Sequence, residues 1–162
     1  MPAPTYRKVL ILALSHLAAL AAGFAAGIYV LPILTAQAGA SAEQVQAVSQ
    51  QARYSGIFRK DLAGSDALHW ANGRLHVSAQ AIAFEGEVAP GPDYRVYLAP
   101  EFVDTEEAFL RIKDRALQVS ELKTFGNFTV ALPAGVDPGK YRAVVIWCER
   151  FGQFISAAAY RP

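Results

Sequence analysis

This sequence of 162 residues contains a single cysteine, Cys148. A single thiol cannot form an intramolecular disulfide, and it excludes the paired-cysteine motifs of zinc sites and haem attachment. An excess of charge of one sign is also lacking, since 15 basic residues and 14 acidic residues leave a net charge of +1. Without a basic stripe, nucleic acid is not an expected partner.

The signatures of common enzymes are missing as well. The sequence has no phosphate-binding glycine loop, no GxSxG nucleophile motif and no HExxH zinc motif. Serine, histidine and aspartate occur, but no spacing singles out a catalytic triad. The sequence therefore predicts a protein that is not an enzyme, with an accessory role in redox chemistry left open by the cysteine.

Residues 9–36 form an uncharged apolar run. As a helix they would extend roughly 42 Å, more than the roughly 30 Å hydrocarbon core of a bilayer. We therefore predict a transmembrane signal anchor. Arg7 and Lys8 precede the run and no basic residue follows until Arg53, which predicts a cytoplasmic segment 1–8 and a periplasmic or extracellular C-terminal part. The alternative is a cleaved signal peptide, because Ala36-Gln37-Ala38 has the form of a cleavage site.

Two further features accompany the anchor. Gly23 and Gly27 form a small-xxx-small pair, which allows close helix packing and a homodimer through the transmembrane helix. Residues 37–53 are polar and carry a capping-box pattern at Ser41 and Gln44. We predict that they form a short, partly helical stalk or linker.

Residues 54–162 alternate short apolar segments with turn residues, which is typical of an all-β fold. We predict an antiparallel β-sandwich or barrel-like domain. One short helix is inserted at residues 105–115, with Asp104 and Glu107 as its cap. The predicted strands are Gly56–Arg59, Ala67–Ala71, Arg74–Ser78, Ala81–Val88, Tyr94–Leu98, Leu117–Leu122, Asn127–Leu132, Arg142–Cys148 and Gln153–Ala158.

The dipeptide Asn72-Gly73 is a strong signal for a two-residue hairpin turn. Such a turn would place His69 opposite His76, with β-carbons about 5 Å apart. The two imidazoles are therefore candidate cofactor-binding residues, for a contact with haem or copper. Two ligands do not complete a metal site, so no metal site is predicted, and a protein without any cofactor is the alternative.

Cys148 ends the apolar run Val144–Trp147. A free cysteine in such a run often packs as a small hydrophobe. An unpaired thiol outside the cytoplasm is nevertheless unusual, because that environment oxidises thiols. Three interpretations stay open: a structural buried thiol, a redox or cofactor role, and an intermolecular disulfide.

Several motifs together are similar to the DM13 domain family, described as a predicted electron-transfer module. The more specific ones are Gly91-Pro92-Asp93-Tyr94 with Val96-Tyr97-Leu98, and Tyr141 with Val144-Val145-Ile146-Trp147-Cys148. Shorter ones are Gly56-Ile57-Phe58, Asp66-Ala67-Leu68-His69 with Gly73, Glu121-Leu122-Lys123, Gly126-Asn127-Phe128 and Leu132-Pro133.

This resemblance implies a β-rich extracytoplasmic domain in which Cys148 takes part in redox chemistry. Relatives of the family occur beside cytochrome b-type membrane domains, which implies a membrane cytochrome or another redox protein as the partner. The alternative function is a non-catalytic binding or assembly module of the cell envelope, in which Cys148 is a buried structural residue.

Overall fold

A computed structural model describes residues 5–162, so the first four residues of the predicted cytoplasmic segment 1–8 lie outside the described part. Two four-stranded antiparallel sheets form the domain, in the orders β1-β2-β3-β6 and β5-β4-β7-β8. The predicted sandwich arrangement is therefore confirmed. The strands are β1 (Ala52–Phe58), β2 (Ala71–Ser78), β3 (Ala81–Val88), β4 (Tyr94–Ala99), β5 (Leu117–Leu122), β6 (Phe128–Ala131), β7 (Ala143–Cys148) and β8 (Gln153–Ala159).

The main core lies between the two sheets, where alternate residues of each strand meet. Leu75 and Phe84 enter it from the first sheet, and Val96 and Ile146 from the second. All four side chains are fully buried. Successive side chains of a strand point to opposite faces of a sheet. Because only one face of the first sheet contacts this core, apolar and polar residues alternate along its strands.

Strands β4, β7 and β8 of the second sheet are buried on both faces. A short helix, α3 (Glu106–Leu110), and a 3₁₀ turn at Lys113–Arg115 cover its outer face with a second apolar cluster that contains Phe109 and Trp147. A strand buried on both faces needs apolar residues at every position, which explains the uninterrupted run of β7. The inserted helix was predicted, but its cap is Thr105, whose hydroxyl accepts from the N–H of Ala108 at 3.2 Å.

The predicted hairpin at Asn72-Gly73 is wrong, and so is the predicted strand Ala67–Ala71. Both residues of the dipeptide lie inside β2, where Gly73 pairs with Gly86 of β3. A β-carbon on Gly73 would collide with the backbone of Glu85, and φ is +155°. The glycine is thus required by close strand approach, a use that a local turn pattern does not reveal.

Two helices precede the sandwich. α1 (Thr5–Leu34) is long and apolar enough to cross a membrane, and a signal sequence has the same character. α2 (Ala42–Gln50) begins with the predicted capping box of Ser41 and Gln44. Its Val45 is buried, and the helix packs against β2, β3 and β6, so this part of the predicted stalk lies on the domain.

Candidate functional site

Cys148 is the last residue of β7, at the end of the sandwich nearest α1. Its Cα is paired with that of Tyr94 on β4 and with that of Gln153 on β8. A tight turn joins β7 to β8, and Gly152 in that turn has φ of +60°, which favours glycine. The thiol is therefore held by three neighbouring strands.

The surroundings of Cys148 keep its thiol protonated. The side chain is 2% exposed. Burial raises the pKa of the thiol above its ordinary value, while hydrogen bonds from the backbone N–H groups of Phe151, Arg150 and Asp93 to the sulfur oppose this. A reactive thiolate needs positive surroundings and access to solvent. Cys148 is instead a neutral thiol at neutral pH.

Tyr94 is the polar neighbour of Cys148 on the next strand. It is also 2% exposed, and burial is the main cause that raises the pKa of its hydroxyl. Gly91 lies so close that a β-carbon there would collide with the phenol ring. The oxygen of this hydroxyl is not among the fully enclosed side-chain atoms of residues 5–162 that lack a hydrogen-bond partner. It can donate a hydrogen bond to a ligand that reaches it.

His69 reaches the same end of the domain from the loop between β1 and β2. Its Nδ1 lies 2.9 Å from Oδ2 of Asp66, and Oδ1 of Asp66 accepts from the N–H groups of Leu68 and His69 at 2.7 and 2.8 Å. The hydrogen bond from His69 lowers the pKa of the Asp66 carboxyl. The carboxylate orients the imidazole and leaves Nε2 free to interact.

One apolar cavity of about 200 Å³ brings these groups together. Cys148, Tyr94 and His69 line it, with Leu68 and Phe151 from the surrounding loops. The remaining wall comes from α1, through Ala25, Ile28 and Tyr29. The cavity is therefore shared between the domain and the apolar helix.

His76, the other predicted cofactor-binding residue, is not part of this cavity. It lies on β2, where its Cα pairs with Ser55 and Ala83. The predicted pairing of His69 with His76 is wrong, because it depended on the hairpin that does not form.

A family model described as "Electron transfer DM13" matches residues 62–160, which include Cys148, Tyr94 and His69. The chain belongs to the DM13 family. No curated protein and no solved structure matches the chain. The matched region begins after β1, so α1 and α2 lie outside the DM13 match.

The DM13 cavity has about 200 Å³, which is less than the roughly 300–1,000 Å³ of pockets for drug-sized ligands. By itself it would not enclose a haem. For copper, the thiol and the imidazole are suitable ligands, but among residues 5–162 no cluster of three or more His, Cys, Asp or Glu side chains could hold a metal ion.

Sequence reasoning identified Cys148 and His69 but missed two parts of the DM13 cavity, Tyr94 and the α1 wall, and the Asp66 carboxylate that contacts His69. Tyr94 belongs to the Gly91-Pro92-Asp93-Tyr94 motif, yet only strand pairing places it beside Cys148. Asp66 belongs to another family motif, and its spacing of three residues from His69 was the available signal. No sequence pattern indicates that α1 lines the cavity, because this contact depends on how the helix packs against the domain.

Proposed function

We propose that this DM13 protein is a membrane-anchored, extracytoplasmic electron-transfer protein in which Cys148 is the redox-active residue. The observation that carries the proposal is the position of the single cysteine. It lines a cavity with His69 and Tyr94 inside the region matched by the electron-transfer family model. The thiol is shielded from bulk solvent but open to the cavity.

The protonated state of the thiol determines what its oxidation requires. Removal of an electron from a neutral thiol must be accompanied by loss of its proton. His69 is the imidazole that lines the cavity, and Asp66 holds its Nδ1 through the 2.9 Å contact. In this proposal His69 takes the thiol proton, and the electron passes to an oxidised redox protein of the membrane.

Anchoring through α1 is supported by two aromatic residues, one in its first turn and one five residues before its last residue. Tyr6 and Tyr29 are both exposed and are separated by roughly 35 Å along a helix with a rise of about 1.5 Å per residue. Aromatic residues commonly mark the two interfaces of a bilayer. Arg7 and Lys8 beside Tyr6 favour the cytoplasm for that end.

The anchor and its orientation can be tested together. Alkaline phosphatase fused to the C-terminus should be active, because it folds only after export. An N-terminal tag should remain on the protein in membranes. Inactive phosphatase would contradict the orientation, and loss of the tag would identify α1 as a cleaved signal peptide.

The partner proposed for electron exchange is a membrane cytochrome or another redox protein. Leu68 and Phe151 at the cavity are 56% and 55% exposed, which leaves an apolar rim beside Cys148. Exposed apolar groups of this kind are common where another molecule binds. A homodimer through Gly23 and Gly27 stays a prediction, for which cross-linking in membranes is the test.

Electron transfer can be measured in membranes that contain the full chain. We expect Cys148→Ala to slow the reduction of b-type cytochromes after a respiratory substrate is added, because alanine retains the packing but has no thiol. Ser156→Ala is the matched control, since it removes a fully buried hydroxyl that has no hydrogen-bond partner. Equal rates in wild type and Cys148→Ala would contradict the proposal.

A second candidate function is a non-catalytic binding or assembly module of the cell envelope. The observation in its favour is that Cys148 belongs to the main apolar core, where a small hydrophobe would serve as well. This function predicts that Cys148→Ala keeps partner capture and all cytochrome kinetics. The same experiment therefore distinguishes the two functions.

A further inference from the structure

We infer that the cavity beside Cys148 binds the carbonyl-bearing ring of a lipid-soluble quinone that reaches it from the bilayer along α1. This inference rests on the proposed anchoring and redox role, and it names the class of small molecule that the site takes. The cavity has a suitable size, a tyrosine hydroxyl in its lining and a position close to the membrane.

The size of the cavity suits a substituted ring. An apolar cavity of about 150 Å³ holds a benzene molecule, so the roughly 200 Å³ beside Cys148 is sufficient for a six-membered ring with small substituents. A flexible lipid tail would need space elsewhere.

That space is present in a second, adjoining groove. It has a volume of about 610 Å³ and runs along α1 between Gly23 and Thr35. Ile28, Pro92 and Phe151 line both spaces, so they are neighbouring parts of one apolar path. A ring in the smaller space would therefore have its tail beside a helix of the kind that enters a bilayer.

The polar group that would recognise the ligand is the hydroxyl of Tyr94. Tyr94 is 2% exposed and lines the cavity. Its hydroxyl can donate a hydrogen bond to a ligand carbonyl, an interaction that a ligand without a carbonyl would not make. A quinone supplies such a carbonyl on an otherwise apolar ring.

The position of the cavity agrees with entry from the membrane. About 20 residues cross a hydrocarbon core, so within the predicted anchor 9–36 the core is crossed between Val9 and about Ile28, and the remaining residues lie beyond it. Ala25, Ile28 and Tyr29 form the α1 wall of the cavity, and the site consequently lies at the outer surface of the bilayer. Quinones are dissolved in the bilayer and need no passage through water to reach it.

Binding can be measured with decylubiquinone, whose fully substituted ring does not add to thiols. The full chain in detergent micelles is titrated, and quenching of tryptophan fluorescence gives the dissociation constant. We expect saturable binding by the wild type. Loss of one hydrogen bond in Tyr94→Phe should weaken it about three- to tenfold.

A matched pair of variants on α1 tests the location. Ala25→Phe fills the cavity from its exposed helix wall, and we expect it to abolish saturable binding. Ala26→Phe makes the same change one residue away, outside the cavity lining, and should bind as the wild type does. Neither residue belongs to the core of the domain, so both variants are expected to fold.

Three results would overturn the inference: no saturable binding by the wild type, equal binding by Ala25→Phe, or equal competition by decylbenzene, which has a ring and tail but no carbonyl. Cys148→Ser separates this inference from the proposed function. It should retain quinone binding while losing thiol redox activity, so failure of either property can be recognised without the other.

Discussion

Removal of the Phe109 ring should destabilise the domain strongly. Phe109 is fully buried, and its ring centroid lies 5.0 Å from that of Trp147 and 5.3 Å from that of Tyr97. Truncation of a buried phenylalanine to alanine costs about 3–5 kcal/mol. We expect Phe109→Ala to lower the free energy of unfolding by that amount, because the outer face of the second sheet loses its main cover.

The assay is urea unfolding of the full chain in detergent micelles, followed by tryptophan fluorescence. Trp147 reports the change because it contacts the substituted ring. Leu110→Ala is the matched control on the same helix. Leu110 is 52% exposed, and its truncation should change the free energy of unfolding by less than about 0.5 kcal/mol. A loss below about 1 kcal/mol in Phe109→Ala would refute the packing of α3 on the sheet.

Three further predictions concern titration and backbone geometry. Because burial raises the pKa of Cys148, its alkylation rate should still increase above pH 9, and a plateau below pH 8.5 would contradict this. Burial alone would raise the pKa of Glu149, but hydrogen bonds, led by that from Lys113 at 2.7 Å, lower it. The stability of the wild type should therefore fall more steeply than that of Glu149→Gln as the pH drops below about 4.3. Parallel acid unfolding curves for the two proteins would argue against this coupling. Gly73→Ala should lower the free energy of unfolding in urea by about 1–3 kcal/mol or more. Gly126→Ala should leave it unchanged, because there is open space around the Cα of Gly126. Equal stabilities of the two variants would refute the close β2–β3 pairing at Gly73.

The two-layer fold was predictable because a strand that is buried on one face alternates apolar and polar residues along its sequence. The strand ending at Cys148 was also predicted, since a short, continuous apolar run rich in β-branched residues is typical of a strand buried on both faces. The position of Gly73 was not, because its partner Gly86 lies on the next strand and a turn signal looks the same locally. Local pattern therefore predicted the layers better than the connections between them.

The candidate site was predictable only residue by residue. Cys148 was a candidate because it is the single cysteine and lies in a family motif, and His69 because it lies in another family motif. The cavity that both residues line depends on long-range packing. Tyr94 is distant from Cys148 in sequence, and only the β4–β7 register places the two side by side. The contribution of α1 depends on the angle at which the helix meets the domain, which no sequence pattern describes.

The most direct test of the redox role uses the single cysteine as its own reporter. Membranes containing the full chain are treated with a respiratory substrate or with an oxidant, quenched in acid, and denatured with a maleimide–polyethylene glycol reagent. Each free thiol then adds one gel shift, and Cys148 is the only thiol in the chain. The account predicts that the shifted fraction rises with the substrate and falls with the oxidant. A fully shifted band under every condition would contradict it.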